Sequence, residues 1–153
     1  MKLYLIQHAE ATSVPDEPEK ILSATGKDNI RKTAFWFGWL KPELDLIWHS
    51  GLKRARETAE ILARILDCGV VPQTRLGLGP NDPVMPVKEE LQRLEKNVVI
   101  VGHMPFLAKL AGLLLTENQL IQPVKFCNAG IVCISCWLDG CAVEWMVTPA
   151  NLK

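Results

Sequence analysis

The sequence lacks an excess of charge of either sign. Its 153 residues carry 17 lysines and arginines against 17 aspartates and glutamates. A balanced chain has no general electrostatic attraction for nucleic acid or for an anionic membrane surface, so neither is an expected partner. Only Lys53, Arg54 and Arg56 form a local basic spot. Long apolar runs are missing as well. No stretch reaches the roughly 20 residues of a membrane-spanning helix. Repeats and linkers are also absent, and 153 residues suit one domain with its own core, expected over residues 1–153. The chain enters a strand-like run at residue 3, which leaves no space for a secretory leader, and the expected compartment is the cytoplasm.

Disorder is excluded by a hydrophobic content of 48%. The five cysteines raise the question of a metal or a disulfide. Cys133 and Cys136 have the nominal spacing of a zinc knuckle. They lie, however, in the strand-like run Gly130–Leu138, where side chains alternate faces and these two point to opposite sides. The cysteines are therefore expected to be small, reduced core residues.

What is present is a set of short apolar runs, each ending in a polar cluster. Lys2–Gln7 reads as a strand that runs into His8. A polar, proline-bearing loop from Glu10 to Ser23 follows, and then a helix over 26–40 with Thr25 as its cap and Asp28 in a capping-box position. A second strand over 45–49 leads through Ser50 into a helix over 52–66, closed by Cys68 and Gly69. Ala55, Ala59, Leu62 and Leu66 fall on one face of that helix. Val70–Pro72 reads as a short strand, 77–86 as a loop, and the residues up to Leu94 as a polar helix. A buried strand over 98–102 ends at His103, and a helix runs over 105–115. Strands over 130–138 and 141–147 flank an Asp139-Gly140 turn, a strong hairpin signal. This alternation gives an α/β fold with a mainly parallel sheet and an antiparallel edge hairpin. In Phe35-Trp36-Phe37-Gly38-Trp39 neighbouring side chains sit about 100° apart on a helix, so at least one ring is expected at the surface.

In a parallel sheet, ligands bind beyond the carboxyl ends of the strands. His8, Arg54 and His103 all follow such ends. A neutral imidazole can attack as a nucleophile near pH 7. Arginine offers a planar fork of donors that suits phosphate oxygens. The N-terminus of the helix after Ser50 adds backbone N–H groups. Arg56 and Arg64 are expected on a solvated face. Together these residues make an anion pocket with a nucleophile in it.

The three stretches, in this order, resemble the histidine phosphatase, or phosphoglycerate-mutase-like, superfamily. Its Arg-His-Gly signature is matched by Gln7-His8-Ala9 at the histidine. Its Ser-x-x-x-Arg-Ala-x-x-Thr motif is matched in full by Ser50, Arg54, Ala55 and Thr58. The family's second histidine falls on His103. The resemblance covers essentially the whole chain, and small size together with Gly102-His103-Met104-Pro105 is similar to the SixA-type phosphohistidine phosphatases.

The resemblance implies a three-layer α/β/α sandwich and a phosphatase that needs no metal and no cofactor. It implies His8 as nucleophile, with Arg54 and His103 stabilising the phosphoryl charge and Ser50 and Gln7 beside them. The implied partner is a protein carrying phosphohistidine or a small phosphorylated substrate, with phosphate or sulfate able to occupy the pocket. Gln7 stands where the family has arginine. It can donate an amide hydrogen bond but brings no charge, which leaves a phosphate-ester phosphatase and a catalytically weak phosphoprotein-binding domain as alternatives. His49 either adds a compensating charge or flanks the site. Ala9, in place of the family glycine, suggests that no positive φ is needed there. The candidates for a general acid are Glu10 and Asp82. Asp82 also reads as a helix N-cap before Pro83.

Overall fold

Lys2–Gln7 (β1) forms the middle of a six-stranded sheet because its apolar side chains are covered on both faces. The computed structural model describes residues 1–152; Lys153, the last residue of the expected domain, lies outside them. The other strands of this sheet are β4 (Leu46–His49), β5 (Gln73–Thr74), β6 (Val98–Gly102), β7 (Ile131–Trp137) and β8 (Gly140–Val147). They lie in the order β5-β4-β6-β1-β7-β8. The first four are parallel, and β7 and β8 close one edge antiparallel. All five residues of β6 are buried, as expected for a parallel strand covered on both sides.

Alternation divides the core into two layers. Tyr4, Ile6, Ile47, Val99 and Val101 face α1 (Ala24–Trp39) and α2 (Lys53–Leu66). Leu3, Leu5, Trp48, Val98 and Ile100 face α3 (Met85–Leu94) and α4 (Phe106–Thr116). The result is the expected three-layer α/β/α sandwich. The chain winds outward from β1 through α1 and α2, then returns to β6 with its helices on the other face. The reversal lies between β1 and β6, and the carboxyl ends of β1, β4 and β6 meet there.

Several local expectations are corrected. Helix α1 is capped by Ser23, not Thr25: Ser23 is extended and accepts from the Gly26 N–H at 3.0 Å, while Thr25 already lies inside the helix. Asp28 bonds to Arg31 instead of closing a capping box. Helix α2 ends at Asp67, which takes the left-handed conformation itself, ahead of Cys68 and Gly69. The short strand lies at Gln73–Thr74 instead of 70–72, consistent with Pro72 having no N–H for the ladder. The 10–23 loop, although polar, contributes to the core. Ala11–Thr12 (β2) pairs antiparallel with Ile21–Leu22 (β3), and Leu22 is buried. The hairpin loop is Leu138–Asp139, because Trp137 already pairs with Gly140.

That register also overturns the expectation for two cysteines. It sets Cys136 directly opposite Cys141, Cα atoms 4.1 Å apart, and they form a disulfide. Of the others, Cys133 is buried, Cys127 is half-buried and Cys68 is exposed. Cys133 and Cys136 do point to opposite layers. On α1, Phe37 is buried and Trp36 packs edge-on against Trp145, while Phe35 and Trp39 are exposed, stacked edge to face. No described helix is long and apolar enough to cross a membrane.

Candidate active site

His8 leaves the end of β1 with its main chain held on two sides. Its N–H donates to the Gly102 carbonyl at the end of β6, and its own carbonyl accepts from Asn128 Nδ2 at 2.8 Å. The ring is fixed too. Its Nδ1 lies 2.8 Å from the Ala9 carbonyl oxygen, a contact that requires a proton on Nδ1. The lone pair of the neutral ring therefore lies on Nε2. Arg54 Nε donates to that atom at 3.3 Å. Burial, then the charges of Arg54 and Lys20, push the His8 pKa below 6.5, against the Ala9 contact that raises it.

Arg54 sits in the first turn of α2, half-buried, with no carboxylate within ion-pair distance among the described residues. The helix is locked to the His8 turn by Thr58. Its buried hydroxyl donates to the Arg54 carbonyl at 2.7 Å and accepts from the Ala9 N–H at 3.0 Å. Ala9 itself needs no positive φ, as expected. Gly51, before the helix, does adopt φ +92, a conformation that suits glycine. The helix N-terminus already holds an anion of the protein's own: the Lys53 N–H donates to Glu19 at 3.2 Å. Arg56 and Arg64 are exposed, as expected.

His103 stands beside His8, ring centroids 5.1 Å apart. It is 2% exposed. Its Nε2 lies 2.7 Å from Ser50 Oγ, and Nδ1 is buried with no partner among the described residues. An unpaired buried N–H costs more than an unpaired acceptor. The proton therefore belongs on Nε2, donating to Ser50. Ser50 Oγ also accepts from the Leu52 N–H at 3.2 Å, so its own hydroxyl proton remains a spare donor. Burial first, then His8 and Arg54, lower the His103 pKa to about 4. It is therefore neutral near pH 7, and its one N–H is given to Ser50.

The structure thus brings His8, Arg54, His103 and Ser50 together, and of these four His8 and Arg54 line the cleft. It separates others from them. The Gln7 side chain makes no hydrogen bond among the described residues and does not line the cleft, although its carbonyl accepts from the Ala129 N–H at 2.9 Å. His49 is buried, and its Nδ1 accepts from the Gly51 N–H at 3.1 Å, so it flanks the site and adds no charge. Asp82 accepts from the Gly79 N–H at 2.7 Å and caps that turn, not a helix: α3 begins only at Met85. It does not line the cleft, whereas Glu10 does, with its carboxylate bonded to the Ser23 hydroxyl at 2.8 Å.

The cleft over His8 and Arg54 has a volume of about 540 Å³ and is walled by Glu10, Glu19, Lys20, Leu52 and Asn128. Lys20 and Asn128 escape a reading by motif. Asn128 reaches His8 across 120 positions, and Lys20 belongs to a loop whose pairing is visible only in three dimensions. Among the described residues no group of three or more His, Cys, Asp or Glu side chains is disposed to hold a metal. The site can present the His8 Nε2, the Arg54 guanidinium and the spare hydroxyl proton of Ser50 to an anion.

In shape the chain is similar to the protein histidine phosphatase SixA complexed with tungstate, with a TM-score of 0.89 and 23% identity over 100% of both chains. It is similar to a candidate phosphohistidine phosphatase SixA from Agrobacterium tumefaciens, at 0.80 and 20% over 97% of each. A further likeness is to the phosphoserine phosphatase of Entamoeba histolytica in complex with phosphoserine, at 0.70 and 16% over 99% of each. The fold is that of the histidine phosphatase superfamily. No family model matches the sequence. An uncharacterised protein of Picosynechococcus is 31% identical over 139 residues, 86% of this chain and 83% of the other, and the chain belongs to one family with it.

Proposed function

We propose that this protein is a metal-independent phosphatase that works through a phosphohistidine on His8, and that its substrate is a phosphohistidine borne by a protein. The observation that carries the reading is the fixed tautomer of His8: Nδ1–H is bound to the Ala9 carbonyl, and the Nε2 lone pair lies beside Arg54. In the first step Nε2 attacks phosphorus in line. The bond from phosphorus to the leaving imidazole breaks, and that imidazole takes up a proton. In the second, water attacks the phosphoryl group, gives up a proton, and the bond to Nε2 breaks to release phosphate. Arg54 answers the charge on the equatorial oxygens, with the hydroxyl proton of Ser50, whose oxygen is held by His103, adding a neutral donor.

The leaving group decides between substrates. An imidazole is a labile leaving group, whereas an ester alkoxide needs a strong acid. Of the two carboxylates considered for that role, Asp82 is committed to its own turn and Glu10 is bonded to Ser23. This favours phosphohistidine over a small ester. The solved relatives of the same shape, SixA among them, act on phosphorylated groups, which supports the class of reaction. The test is hydrolysis of a phosphohistidine peptide against p-nitrophenyl phosphate, with His8→Ala as control. Preference for the peptide, lost in the variant, is the expected result. Phosphate binding without turnover of either would indicate a binding domain instead.

A further inference from the structure

We propose that Lys20 supplies the second permanent positive charge of the anion site, reaching from the 10–23 loop to the phosphoryl oxygens opposite Arg54. The inference rests on the phosphatase reading and adds a substrate-binding residue to it. It begins with a charge inventory. A phosphoryl dianion carries two charges, but the residues of the sheet edge provide one cation, Arg54. Gln7 is neutral and off the cleft, and His8 and His103 have lowered pKa values, which leaves both largely neutral near pH 7.

The cleft wall holds one further cation, Lys20. Its loop is anchored on both sides of it. Before it, Glu17 pairs with Lys53 Nζ at 3.0 Å and Glu19 accepts from the Lys53 N–H at 3.2 Å. After it, Ile21–Leu22 pairs with Ala11–Thr12, and the Leu22 N–H donates to Glu57 at 3.4 Å. Where α1 meets this loop, Gly26 packs so closely that a side chain would meet the Glu10 carbonyl oxygen at 2.1 Å.

The two carboxylates of the wall are bonded to neutral groups, which leave their charge uncancelled but turn them away from pairing with Lys20. Glu10 is bonded to Ser23 and Glu19 to the Lys53 N–H. The Lys20 amine has no partner among the described residues, and its charge is felt at His8. An anchored loop that presents one unpaired cation beside the candidate nucleophile is the arrangement an incoming dianion would complete.

The test is titration of the full chain with orthovanadate in low salt. Lys20→Ala is expected to weaken binding about tenfold, the lower range for a charge-assisted contact from an exposed side chain. Lys20→Arg is expected to restore it. Lys96→Ala, which removes an exposed lysine at the opposite end of the sheet, should leave it unchanged. A second readout is the His8 titration by NMR, whose pKa should rise in Lys20→Ala. Equal binding by wild type and Lys20→Ala, with Arg54→Ala losing it, would overturn the role of Lys20 and leave the phosphatase reading standing. Wild-type protein that does not bind orthovanadate, or binds it as well after Arg54→Ala, would overturn both.

Discussion

The backbone N–H of Ala9 donates to the hydroxyl of Thr58 at 3.0 Å, joining two residues 49 positions apart. The same hydroxyl donates to the carbonyl of Arg54. One buried side chain therefore sets the spacing between the turn that carries His8 and the helix that carries Arg54. This gives the threonine of the Ser-x-x-x-Arg-Ala-x-x-Thr pattern a physical task.

Thr58→Val keeps the shape of the side chain and removes both bonds. It leaves the Ala9 N–H buried and unpaired, which costs about 1–3 kcal/mol. Urea unfolding should report a loss of that size, and Thr58→Ser should recover most of it. A loss below a few tenths of a kcal/mol would show that the tie contributes little.

The three histidines all have pKa values lowered by burial. Attack by His8 needs its unprotonated Nε2, so the acid limb of kcat/KM should have its midpoint below 6.5. A midpoint above 6.5 contradicts the burial of His8. Stability follows the same sign. A folded-state value of about 4 for His103, against 6.5 when unfolded, means that protons bind the unfolded chain more readily. Its contribution is complete above about pH 6.5 and is lost as pH falls toward 4. His103→Gln should flatten the pH dependence of unfolding in that window, measured by urea denaturation.

Gln7→Arg introduces a charged donor at the end of β1. The added guanidinium stands one residue from His8, and orthovanadate binding should tighten by about 1 kcal/mol, the lower range for one new charge-assisted contact. Weaker binding would mean that Gln7 has a fitted role of its own.

Much of the site was legible in the sequence because strand ends are. The runs before His8, Ser50 and His103 are apolar and short, and each is a strand of the sheet. Arg54 was marked by its spacing from Ser50 and Thr58. What escaped depends on contacts that no local pattern carries. Ser23 and Thr25 both suit a cap, and only the approach of Ser23 to Glu10 and Gly26 separates them. Leu22 looked like a loop residue until β2 paired with β3. Cys136 and Cys141 look unrelated until the hairpin register sets them opposite each other. Asp82 lies in a plausible loop, but its carboxylate is taken by Gly79.

His103→Ala frees the Ser50 hydroxyl that faces the developing charge, and should slow turnover by roughly 10²–10³, the usual effect of losing one placed donor. Phosphorylation of His8 should still be detectable, since the nucleophile and Arg54 remain. Complete loss of labelling in this variant, with the fold intact by circular dichroism, would make His103 more than the support of Ser50.

The central claim is that His8 carries the phosphoryl group. The direct measurement is labelling of the protein by a phosphodonor, followed by acid and base treatment. Wild type should acquire a base-stable, acid-labile label that His8→Ala lacks. The variant should stay folded, because His8 follows β1 and is not packed within its core. A label that persists in His8→Ala would place the nucleophile elsewhere and contradict the account.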